Sequence, residues 1–116
     1  LLTFTRHAQT GELSLNNELK IDSALDNMEW DNNGNLWIGA HPQMLKYLEH
    51  SKSHLNRSAS QVLRVNINDG MSVDEIYLND GNPISGSTVG APYKDHLLIG
   101  SVYEPFILDC TLASAQ

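Results

Sequence analysis

The sequence has a single cysteine, Cys110, so no disulfide can close within the chain, and it has no CxxC or other clustered zinc spacing. That cysteine is either a buried small hydrophobe or one half of a pair whose partner lies elsewhere. No apolar run reaches the about 18 residues of a membrane-spanning helix, and no basic n-region leads into an apolar stretch at the start. Basic residues are scarce: 7 Lys and Arg stand against 14 Asp and Glu, a formal net charge of −7. That balance argues against a surface for nucleic acid or anionic membrane and suits a protein that holds a divalent cation. With 41% hydrophobic residues the chain is globular rather than disordered. Its 116 residues fit one ordinary domain and leave no room for two. It opens on Leu1 rather than Met, which carries the expectation that it is a piece of something longer.

Helical periodicity is also scarce; the dominant period is two. Leu2 to Thr5 alternates, and Gln61 to Ile67 alternates with Arg64 and Asn66 outward. Asn35 to Ala40 and His96 to Ser101 are short apolar runs of buried-strand length. Asp74 to Leu78 and Pro105 to Leu108 complete the strand set. Turn chemistry separates them at Asp31-Asn32-Asn33-Gly34-Asn35, Asn68-Asp69-Gly70 and Asn79-Asp80-Gly81-Asn82. Pro42 to His54 is the only stretch with helical spacing, through Met44, Leu45 and Leu48. It reads better as a strand followed by a polar loop, His50 to Ser60.

Self-similarity is the most informative feature. Leu36-Trp37-Ile38-Gly39-Ala40 overlays Leu97-Leu98-Ile99-Gly100-Ser101 at an offset of 61 residues. Strand-only repeats of roughly 40 to 60 residues are propeller blades. The expected fold is therefore all-β, a propeller fragment of about two four-stranded blades plus two outer strands of the preceding blade. The expected segments are 1–22 for those outer strands, 23–80 for one blade, 81–110 for a closing blade and 111–116 for a tail. At the same offset Asn27 falls on Thr88, and His41 on Val102.

Asp26-Asn27, just before the first inner strand, offers two hard oxygen donors of the kind calcium takes, or a plain strand end. His41, between Gly39-Ala40 and Pro42, is either a proton carrier on a pocket wall or a structural histidine. His50 and His54 have helical chelate spacing but sit in a polar loop without a third ligand, and read as solvated. Asp31 to Asn35 fails as an EF-hand loop, because Leu36 occupies the glycine position and Pro42 that of the bidentate glutamate. Gly86-Ser87-Thr88-Val89-Gly90 has threonine where a nucleophile elbow needs serine, and lacks the P-loop lysine. Asn56-Arg57-Ser58 is a formal glycosylation acceptor.

Together these residues resemble the paraoxonase/arylesterase family, six-bladed calcium-dependent propellers, over nearly the whole chain as that family's C-terminal third. The resemblance runs through Leu25-Asp26-Asn27, Gly34 to Pro42, Ser60 to Arg64, Gly86 to Val89, Tyr93-Lys94, Leu97 to Val102 and Leu108-Asp109-Cys110. It implies a hydrolase of lactones and aryl esters with Ca2+ as cofactor. It implies Asp26 and Asn27 as metal ligands and Asp26 and His41 as catalytic residues. His41, Leu45, Tyr47, Leu48, Thr88 and Val102 would bind substrate. It implies that Cys110 bridges to a cysteine outside this chain, near the family's N-terminus, in an oxidising compartment: secreted, periplasmic or membrane-associated. Its implied partners are an ester or lactone, the missing N-terminal blades and a membrane or lipid surface, not nucleic acid. The fragment alone is expected to be inactive. A non-catalytic propeller module and a gluconolactonase-like sugar lactonase are the alternatives.

Overall fold

The computed structural model describes residues 1–113. In chain order the elements are β1 (Leu2–Arg6), β2 (Leu13–Glu18), β3 (Ala24–Trp30), β4 (Asn35–His41), α1 (Met44–His50), β5 (Ser60–Asn66), β6 (Ser72–Asn79), β7 (Ser87–Tyr93), β8 (His96–Ser101) and β9 (Leu108–Thr111). Three antiparallel meanders result: β1-β2, then β3-β4-β5-β6, then β7-β8-β9. This all-β series of antiparallel sheets is that of a β-propeller fragment. The last sheet has three strands rather than four among the described residues. No helix of the described residues is long and apolar enough to cross a membrane.

The apolar run in β4 explains the stacking. Alternate side chains of a strand point to opposite faces, and here both faces are covered. Trp37 joins Val62, Ile84, Leu97 and Ile99 in the core against the third sheet. Leu36 and Ile38 join Val65 and Met71, flanked by Leu1, Leu19, Ile21 and Leu25, on the other side. A strand buried on both faces has no reason to alternate polar and apolar residues.

The β3–β4 turn is organised by one carboxylate. Asp31 accepts hydrogen bonds from the N–H groups of Asn33 and Asn35, from Asn35 Nδ2 and from Trp37 Nε1, all between 2.8 and 2.9 Å. Burial pushes its pKa up, but the bonds from Trp37, Asn35 and Asn33 outweigh burial and hold it at about 2. The segment is a hairpin turn and no calcium loop.

Three expectations are corrected. Met44 to Leu48 is not a strand but part of α1. Met, Leu, Lys and Glu are good helix formers, and the residues that turn inward are Tyr47 and His50, three apart, while Met44, Leu45 and Leu48 are exposed. The helical spacing of Met44, Leu45 and Leu48 is the correct signal, although those three side chains lie on the outer face. His50 is not a solvated loop histidine: it is buried, with Nδ1 2.8 Å from the Asn56 carbonyl. Pro105 to Ile107 does not pair, and β9 begins only at Leu108. Of the expected tail, Thr111 still belongs to β9, and residues 114–116 lie outside the described residues.

Candidate functional site

The site begins with an irregularity in the β3–β4 ladder. Leu25 pairs with Ala40 and Met28 with Ile38, so Asp26 and Asn27 together oppose the single residue Gly39. A bulge of this kind bends the strand and re-aims its side chains. It lets two consecutive polar residues leave the alternation that would send one of them into the core. Opposite the bulge, β7 passes directly over Gly39. A Cβ there would collide with the backbone of Thr88 and Val89, so only glycine permits this approach.

The third sheet repeats the device. Ser87 pairs with Ser101 and Val89 with Gly100, leaving Thr88 as the extra residue. The register refines the internal symmetry read from sequence. The β3–β4 hairpin joins Asp31 to Asn35 through three residues, whereas Tyr93 pairs with His96 through two. The 61-residue offset therefore holds for β4 and β8, while β3 and β7 are offset by 62. By register, Thr88 corresponds to Asp26 and not to Asn27. The one-residue difference in turn length is invisible to an ungapped overlay.

His41 closes β4 and is 4% exposed. Its Nε2 lies 3.0 Å from Asp26 Oδ2, and its buried Nδ1 has no hydrogen-bond partner among the described residues. The Tyr47 ring stacks on the imidazole, with centroids 3.7 Å apart and planes 24° from parallel. Tyr103 lies 6.1 Å from Tyr47 and meets His50 edge-on at 5.4 Å. Burial, then the neighbouring Tyr103 and Asp26, push the Tyr47 phenol above its ordinary pKa.

The structure thus brings Asp26, His41 and Tyr47 into one contact group and lays Thr88 against the strand that carries it. Thr88 is buried. Asn27 is exposed beside Asp26 on the bulge. Leu45, Leu48 and Val102 are exposed at the same end, on α1 and just past β8, and Val102 adjoins Tyr103. Cys110 is half-buried and free in this chain, and burial followed by Asp109 raises its pKa. Sequence reading named Gly86 only as part of a motif and did not find Tyr103, yet both pack around Tyr47. The helical reading of α1, had it been preferred, puts Tyr47 and His50 on one face and points toward both.

Asp26 and Asn27 suit calcium by chemistry: a carboxylate and a carboxamide are hard oxygen donors. The Asp26 side chain is 32% exposed, open to an ion or water while held on one side by His41. Among the described residues no group of three or more His, Cys, Asp and Glu gathers as a metal site. The two residues fit as part of a calcium shell, not as a whole one.

Comparison with known proteins gives a consistent answer. The family model described as Arylesterase matches residues 2–112. Human serum paraoxonase/arylesterase 2 is 33% identical over 88 residues, covering 73% of this chain and 24% of that protein. Human serum paraoxonase/arylesterase 1 is 35% identical over 88 residues, with the same coverage of 73% and 24%. Rabbit (Oryctolagus cuniculus) serum paraoxonase/lactonase 3 is 33% identical over 92 residues, covering 74% and 25%. The chain spans about a quarter of the length of these curated relatives.

Proposed function

The chain belongs to the arylesterase family, and from that premise we propose that the natural full-length protein is a calcium-dependent hydrolase of lactones and aryl esters. The names of its relatives, paraoxonase, arylesterase and lactonase, support that substrate class. The observation that carries the reading is the bulge that turns Asp26 and Asn27 out together, with Asp26 gripped by a buried histidine.

Asp26 and Asn27 would hold the ion, the first as an anionic and the second as a neutral oxygen donor. Calcium bound there would polarise the ester carbonyl and stabilise the oxyanion of the tetrahedral intermediate. Asp26 is also the carboxylate available to orient the attacking water. The hydrogen bond between His41 Nε2 and Asp26 Oδ2 fixes that oxygen, leaving the other to the site. Thr88 and Val102 form the facing wall, with Leu45 and Leu48 of α1 beside it.

Two oxygen ligands fall short of the six to eight calcium takes, so this segment alone is inactive and the remaining ligands come from other blades. The lone Cys110 is available to a cysteine outside this segment, and such a bridge would suit an oxidising compartment, secreted, periplasmic or membrane-associated. A lipid surface is a partner consistent with the exposed apolar residues of α1. A non-catalytic propeller module would have no use for the Asp26-Asn27 pair, and its presence favours the enzyme.

The test is hydrolysis of a lactone and aryl-ester panel by the natural full-length protein, with calcium and with chelator. Chelation abolishes turnover, and Asp26→Ala lowers it by about 10²-fold or more. Activity unchanged by Asp26→Ala would remove the metal-ligand role.

A further inference from the structure

Resting on the hydrolase reading above, the geometry points to Tyr47 as a positioning residue: its ring clamps the His41 imidazole, so that Asp26 presents a carboxylate of fixed orientation to the site.

The argument begins with what His41 lacks. A histidine that serves a metal site is ordinarily held through its second ring nitrogen, which sets both tautomer and ring plane. Here the second nitrogen, Nδ1, is buried and has no hydrogen-bond partner among the described residues. Among the described residues the bond from Nε2 to Asp26 is the imidazole's one side-chain hydrogen bond, and it leaves the ring plane free to rock. The Tyr47 ring supplies the missing restraint, because a stack at 3.7 Å and 24° leaves no room for the imidazole to rotate out of plane.

Tyr47 is itself immobilised. Its backbone is inside α1, with its N–H bonded to the Gln43 carbonyl at 3.1 Å and its carbonyl to the Ser51 N–H at 2.9 Å. Tyr103 flanks the ring. On a third side lies Gly86, at φ +58°, where a Cβ would stand 3.1 Å from Tyr47 Cδ2 and also 3.1 Å from His50 Cδ2. The glycine permits the close seating of α1 against the segment that leads to Thr88. One ring face is occupied by the imidazole and closed to substrate, and through that face the tyrosine acts on His41.

The experiment compares Tyr47→Leu and Tyr47→Phe in the natural full-length protein, reading kcat and KM, and calcium affinity by equilibrium dialysis. Tyr47→Leu keeps apolar volume but removes the flat ring. It lowers kcat and calcium affinity each by about 10-fold or more, with KM nearly constant, and Tyr47→Phe rescues both. A Tyr47→Leu protein with altered KM or substrate ranking but intact kcat and calcium affinity makes the residue a wall and overturns the clamp. So does a lowered melting temperature with no change in either parameter. Should Tyr47→Leu not fold, Tyr47→Met and Tyr47→Phe decide: calcium affinity lowered in Tyr47→Met and kept in Tyr47→Phe supports the clamp, and equal affinity in the two overturns it. If the wild type hydrolyses nothing on the panel, the hydrolase reading fails alone, since the calcium titration still tests the clamp.

Discussion

Ser87 donates its N–H to Ser60 Oγ at 3.0 Å, across a seam where two different sheets meet. The same exchange recurs along that seam. Ser60 Oγ donates to the Ile84 carbonyl, Ser87 Oγ accepts from the Gln61 N–H and donates to the Gln61 carbonyl, and Ser85 Oγ does the same for Ser58. Ser58, Ser60, Ser85 and Ser87 are all fully buried. Hydroxyls here complete backbone bonds that no strand pairing provides, and they set the distance at which β7 passes the site. Ser87→Ala strands the Gln61 N–H and carbonyl away from water, a cost of about 1–3 kcal/mol. Urea unfolding measures it. Because Ser60 and Ser87 share one network, the double substitution to alanine should cost less than the sum of the singles.

Gly39 tests the other half of that approach. An added methyl at Gly39 meets the Thr88 and Val89 backbone, whereas one at Gly90 meets the side chain of Val62. A side chain can shift or be trimmed; a backbone that carries its own ladder cannot. Gly90→Ala is expected to behave as ordinary overpacking, about 1–3 kcal/mol, and to be relieved by Val62→Ala. Gly39→Ala should cost more than Gly90→Ala, with no single compensating substitution. Thermal melts of the single and double variants distinguish the two cases. Equal costs would mean that β7 is free to move at Thr88.

Much of this was legible in the residues because burial and turn chemistry are local. The doubly buried β4, the Asp31 turn and the blade-like repeat all follow from short stretches whose composition permits little else. The Asp26–His41 contact was not legible as a bond. It depends on a bulge, and a bulge adds a residue without any composition that distinguishes it from regular strand. The turn that shortens by one residue between the two hairpins hid the correspondence of Asp26 with Thr88 for a similar reason. In α1, seven residues gave two periods almost equal support, and the deciding contact, the face of Tyr47 on His41, is tertiary. The residues implied by family resemblance rest, by contrast, on position alone and say nothing of how the chain brings them together.

The Asp31 hub gives the chain an acid limit with a defined sign. Its carboxyl titrates at about 2 in the folded chain, below the ordinary aspartate value of 3.8. A folded-state pKa below the unfolded one means that the ionised turn contributes stability above about pH 4, and that this contribution is lost as pH falls toward 2. Asp31 is partly exposed, so solvent screening reduces the contribution to about 1 kcal/mol. Asp31→Asn should remove that part of the acid dependence while leaving stability at pH 2 nearly unchanged. The indole of Trp37, bonded to Asp31 at 2.9 Å, is the natural reporter. Its fluorescence in a Trp30→Phe background should shift between pH 4 and 2 in the parent and stay flat once Asp31 is replaced. A shift that survives Asp31→Asn would assign the acid transition to another carboxylate.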